Sequence, residues 1–169
     1  MKRLLILTLT AAALLAQIPS PPAPPPNQYS FDDAFSSASS ETLTLQLPAN
    51  SNRGWYGFWL NISLSSSSAT GKVCFLQNGT AATTTAGTVN QLYGARIPAT
   101  KAFTASNSSG GVTVGCVTFT GAQSFNIGNM FMSRANSIAP APAGTVQNIS
   151  FVVTGTSISG DIFPIWQEY

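Results

Sequence analysis

Histidine is missing altogether from the 169 residues of this chain, and only 7% of them are charged. An ordinary soluble domain carries roughly 25% charged residues. Acid–base and nucleophilic chemistry draws mainly on His, Asp, Glu, Lys and Cys. With so few of these groups to place, the chain is expected not to be an enzyme. No unperturbed side chain in it changes charge between about pH 5 and 8. The fold is therefore expected to be insensitive to pH in that window. Zinc is argued against by the absence of His and of any Cys-x-x-Cys pair. Asp32-Asp33 offers oxygens to a calcium ion, but the spaced acidic loop of a dedicated site is missing. No Gly-rich phosphate loop leads from a strand into a helix. Neither a metal nor a cofactor is expected.

Charge of one sign is lacking too. The formal net charge is +2, and Lys2 and Arg3 account for it. Beyond residue 16, the bases Arg53, Lys72, Arg96, Lys101 and Arg134 are balanced by the acids Asp32, Asp33, Glu41, Asp161 and Glu168. A neutral body has no basic stripe for nucleic acid, so no nucleic-acid partner is expected. It also lacks the repulsion that keeps soluble monomers apart. Either sugars solubilise the protein or association is its purpose.

What is present begins with Met1-Lys2-Arg3 and an apolar run over residues 4–16 that ends in small residues. This reads as a secretory signal peptide with cleavage after Ala16. The alternative is an uncleaved apolar anchor, although a spanning helix needs about 20 apolar residues. A membrane contact is expected only if this segment is retained. Residues 17–28 form a Pro-rich linker whose proline density favours semi-rigid polyproline II. The body then runs over residues 29–169.

The body shows no helical periodicity. Short alternating or aromatic runs recur between Gly, Ser, Asn and Pro clusters, as in a sandwich or barrel. Strands are expected over 42–47, 55–64, 72–77, 88–93, 112–120, 124–132, 146–154 and 158–166. A loop or edge strand is expected over 80–87 and loops over 107–111 and 139–144, with a turn signal at Asn78-Gly79. Seven to nine strands point to an all-β fold, a single antiparallel β-sandwich of jelly-roll or immunoglobulin-like topology.

Cys74 and Cys116 each fall in an expected strand. In an exported protein they are expected to form a disulfide; the competing reading is two buried free thiols. Lys72 and Cys74 share a strand face, which would lower a thiol pKa, or simply place a solvated charge at a strand start. A glycosidase would need two carboxylates flanking a cleft, and Glu41 with Asp161 is the pair to watch. Alternation puts Trp55 and Trp59 on one face with Gly57, and Tyr56 and Phe58 on the other. Exposed Trp55 and Trp59 would suit sugar stacking; the simpler account is that one face is core and the other is covered. Four Asn-x-Ser/Thr triplets begin at Asn61, Asn78, Asn107 and Asn148. They are candidate glycosylation acceptors. Asn78 and Asn107 are the better ones because they fall in loops, whereas Asn61 and Asn148 qualify only if they face outward.

A signal peptide, a Pro-rich arm, a strictly alternating 42–47 segment and a neutral β body suggest strand donation. In that mode one chain's extended segment completes the sheet of the next, and a head-to-tail contact that does not close yields a filament. In this layout the chain resembles secreted thread or bundling-pilus subunits of archaea and bacteria, with donor-strand β-sandwich bodies. The resemblance implies a non-enzymatic structural subunit, secreted or at the cell surface, whose partners are copies of itself. Leu43, Leu45 and Leu47 are the candidate donor residues, and the C-terminal 161–169 segment is a second candidate. One alternative is a jelly-roll capsid or vertex protein of a virion that keeps its apolar N-terminus. Another is a secreted carbohydrate-binding module, with glycans as partners of Trp55, Trp59 or Trp166.

Overall fold

The computed structural model describes residues 27–51, 53–78, 80–81, 85–105, 108–128 and 146–168. The signal-peptide or anchor segment, most of the Pro-rich linker, the 139–144 loop and Asn107 lie outside these residues. Among the described residues there is no helix, and every strand pairing is antiparallel. The strands are β1 (Asn27–Ser30), β2 (Asp33–Leu47), β3 (Trp55–Leu64), β4 (Thr70–Gln77), β5 (Thr80–Ala81), β6 (Thr85–Gly87), β7 (Asn90–Tyr93), β8 (Lys101–Ala105), β9 (Ser108–Ser109), β10 (Val112–Thr120), β11 (Gln123–Gly128) and β12 (Gln147–Glu168). Asn27 and Gln28, read from the sequence as the end of the linker, already pair with Glu168 and Gln167 in β1.

The 22-residue β12 organises the molecule. Its first part lies between β4 and β2, and its last part between β3 on one flank and β1 with the start of β2 on the other. One half of the sheet therefore runs β10-β4-β12-β2-β8-β6. The other half holds β11, β3, the end of β12, β1 and β7. The two long strands pass from one half to the other through bends. Positive φ at Ser37 in β2 and Ser157 in β12 marks the corner, and the β2–β12 register slips between Thr154 and Gly160. Bends of this kind let strands switch between packed layers. Rings from the two halves meet across the interior: Phe58 with Phe151 at 5.4 Å and Phe119 with Phe125 at 6.3 Å between centroids. The arrangement is consistent with a β-sandwich.

The alternation of residues 42–47 appears directly in the packing. Leu43, Leu45 and Leu47 are fully buried and join Phe75, Ile149, Phe151 and Val153 in the core. The opposite side chains of this strand are polar; Thr42 Oγ1 is buried without a hydrogen-bond partner, and Thr44 and Gln46 are paired across the ladder. Thr44 Oγ1 and Ser150 Oγ lie 2.8 Å apart, and Gln46 Nε2 donates to Asn148 Oδ1 at 2.9 Å. The expected strands over 146–154 and 158–166 prove to be one. Gly155 and the positive-φ Ser157, which lie between the two expected strands, serve as a bend within a continuing ladder. Pro164 is tolerated inside this strand because a residue's N and C=O face the same flank. The Pro164 carbonyl accepts Phe31 N–H, so the missing donor falls at the break between β1 and β2.

Candidate functional site

The cysteines sit directly opposite one another on β4 and β10 and form a disulfide, with a Cα–Cα distance of 4.1 Å. No thiol remains for Lys72 to perturb, and Lys72 itself is exposed. The bridge ties the outermost strand of one half to its neighbour.

The tryptophans do not share a face. Phe58 stands opposite Trp166 and Tyr56 opposite Gln167, which leaves Gly57 as an extra, unpaired residue in β3. This β-bulge reverses the alternation. Trp55 consequently turns inward and is 1% exposed, as are Phe58 and Leu60. Trp166 is fully buried as well. Trp59, beyond the bulge, stays half-buried on the outer face with exposed Asn61.

Burial of Trp55 and Trp166 creates a polar knot at the end of β12. Glu168 is 1% exposed. Its Oε1 accepts Thr100 N–H at 3.0 Å, Thr100 Oγ1–H at 2.6 Å and Trp166 Nε1–H at 3.2 Å. Its Oε2 accepts Ala99 N–H at 3.0 Å and pairs with Arg53 Nη1 at 3.1 Å. Trp55 Nε1–H donates to Thr100 Oγ1 at 2.7 Å, and Arg53 also reaches the Ile97 carbonyl at 2.6 Å. The bonds of Ile97, Ala99 and Thr100 pin the 97–100 loop to Arg53, Trp55 and Glu168, and the Arg53 and Trp166 bonds hold the carboxylate itself, so it is a fastening within the fold.

Four of the five acids stand near one another. Asp33 is 7% exposed at the start of β2, and its Oδ2 has no hydrogen-bond partner. Burial, with the nearby Glu41, Asp32 and Asp161 carboxyls, raises the Asp33 pKa to about 7. This overturns the expected pH insensitivity, because burial and like charge bring a carboxyl into the range that histidine normally occupies. Among the described residues, no three His, Cys, Asp or Glu side chains are grouped to hold a metal ion.

Of the candidate glycosylation sites, Asn61 is exposed on the outer face of β3. Asn78 is exposed, with φ of 58° and its N–H bonded to the Asn148 carbonyl. Asn148 is buried and holds Gln46, so it does not face outward. The candidate donor residues Leu43, Leu45 and Leu47 lie in the interior of their own chain's sheet, with 42–46 of β2 flanked by β12 and β8. The C-terminal candidate segment likewise lies within its own sheet, between β3 and the β1–β2 flank.

An open strand edge was not apparent from the sequence. β10 pairs with β4 alone, and its other flank has no strand partner among the described residues. Val112, Val114 and Val117 are 68%, 53% and 48% exposed. The strand carries no charge and no proline, the residues that usually guard an edge. A bulge at Val114 interrupts the ladder, and Gly115 to Thr120 run in regular register.

Compared with known proteins, the chain matches no family model, no curated protein and no solved structure. The geometry itself defines an all-β, antiparallel, disulfide-bonded protein.

Proposed function

We propose that this protein is a non-enzymatic structural subunit that assembles with copies of itself into an extracellular filament by strand addition. The observation that carries the reading is the edge of β10: uncharged, with three exposed valines, without a strand partner on one flank among the described residues, and fastened to β4 by the disulfide. A free strand edge accepts an extended segment through backbone hydrogen bonds, while side-chain alternation sets the register. The neutral body adds no repulsion between copies. The disulfide fits an oxidising compartment, in keeping with secretion. Because 42–47 already completes its own sheet, its donation to a neighbour would be a strand swap that vacates the place between β12 and β8. Addition to the open edge requires no such opening.

The test is electron microscopy of the purified protein beside Val117→Lys. A charge at an exposed edge position is the device by which natural sheets prevent pairing. We expect filaments from the parent chain and monomers from the variant, with unchanged melting temperature. Filaments of equal length from both would overturn edge addition and leave the strand swap as the route. Monodisperse monomers from the parent would overturn assembly, and closed shells would indicate a virion component.

A further inference from the structure

The half of the sheet away from the β10 edge carries a shallow groove of about 410 Å³ on its outer face. It is lined by Gln28, Trp59, Asn61, Asn126, Phe163 and Ile165. The register explains the grouping. Asn61 of β3 stands opposite Asn126 of β11 on one side and Phe163 of β12 on the other. Trp59 stands opposite Ile165, and its other neighbour is Gly128, which has no side chain to set against it. Trp59, Phe163 and Ile165 are half-buried, and Asn61 and Asn126 are exposed.

None of these lining side chains is charged. An anionic ligand such as a nucleotide or nucleic acid would find no cation there. An added strand would find no free backbone, because β3 and β12 are paired on both flanks at these positions. What the groove offers is aromatic surface beside carboxamides. Carboxamides both donate and accept hydrogen bonds, which matches a ligand of many hydroxyls. An aromatic ring matches the apolar C–H face of a pyranose. Asn61 in the groove wall also begins the triplet Asn61-Ile62-Ser63, a glycan acceptor sequence.

We propose that this groove holds a neutral sugar chain, stacked on Trp59 and hydrogen-bonded by Asn61, Asn126 and Gln28. The sugar has two sources of the same chemistry. One is a glycan on Asn61 itself. There the Asn61 Nδ2 forms a bond to the anomeric carbon of a lipid-diphosphate-linked sugar, the lipid diphosphate leaves, and the amide gives up one proton. The other is a free or neighbouring polysaccharide held without covalent attachment.

The experiment is peptide mass spectrometry on the protein from its native source, followed by tryptophan fluorescence. Trp55 and Trp166 are buried, so a ligand-dependent change in emission reports on Trp59. With a hexose-bearing mass on the Asn61 peptide, enzymatic deglycosylation should shift the emission and lower the melting temperature. Trp59→Ala should abolish the thermal difference and Trp59→Phe should keep most of it. Without that mass, chitohexaose or mannohexaose titrated at millimolar concentrations should shift the emission, and Trp59→Ala should weaken binding about tenfold. Asn126→Ala, which leaves the aromatic residues in place, should weaken it less. A glycan whose removal changes neither emission nor melting overturns the proposal. So does the absence of both a glycan and an oligosaccharide response. Filament formation by Trp59→Ala is expected to be normal, so failure here is distinguishable from failure of edge addition.

Discussion

Asp33 and Glu168 are both buried carboxyls, and their surroundings give them opposite characters. Glu168 receives five hydrogen bonds, one from a guanidinium, whereas Asp33 Oδ2 receives none. Removing an acceptor that satisfies several buried donors leaves each of them unpaired. Glu168→Ala is therefore expected to cost about 3–5 kcal/mol, read as a lower denaturation midpoint. For Asp33 the sign is reversed. Its folded pKa of about 7 lies above the ordinary 3.8. Between those values the folded state keeps a proton that the unfolded chain has released. Stability then falls as pH rises from about 4 to 7 and levels off above that. Asp33→Asn should flatten this slope and raise the melting temperature at pH 8, on the order of 5 °C. A parent protein with equal melting temperatures at pH 4 and pH 8 would contradict the raised pKa. Composition showed that no histidine would titrate, but it could not show which carboxyl would be buried beside three others.

At the level of elements, the clearest parts of the fold in the sequence were those whose own residues dictate them. The 55–64 and 112–120 runs form strands with those bounds, and the leucines of 42–47 point inward together. Elements set by their neighbours were not legible. Residues 33–41 are rich in Ser and have low strand preference, yet β12 draws them into its ladder. β8 is five residues long and exists as the flank of β2. The bulge at Gly57 adds one residue and puts Trp55 and Trp59 on opposite faces. A strand glycine is the available signal of such a bulge, but it does not say which side the chain will turn. Two changes test the element scale. Replacing Cys74 and Cys116 by Ala opens a 42-residue separation and should cost about 4 kcal/mol, seen as a lower melting temperature under non-reducing conditions. Gly71 faces Gly155 where β4 and β12 approach closely, and a Cβ at Gly71 would overlap the Thr154 carbonyl oxygen. Gly71→Ala should cost about 1–3 kcal/mol in chemical denaturation.

At the scale of the whole molecule, low charge and a β10 edge without charge or proline act in the same direction. Contacts made through uncharged strands do not depend on screening. The proposed filament is therefore expected to keep a constant length between about 0.05 and 0.5 M salt, measured by light scattering; shortening with salt would indicate assembly through ion pairs instead. The sequence by itself determined the all-β class, because alternation, β-branched residues and turn clusters act locally along the chain. It also determined the neutrality of the body and the shortage of groups for catalysis. The tertiary structure alone decided which strand lies at an edge, which aromatic residues are buried, and which carboxyl lies among like charges. Those outcomes depend on pairings between distant segments such as β12 with β2 and β4 with β10. No local pattern specifies such partners, and one bulged residue is enough to change the face that a side chain occupies.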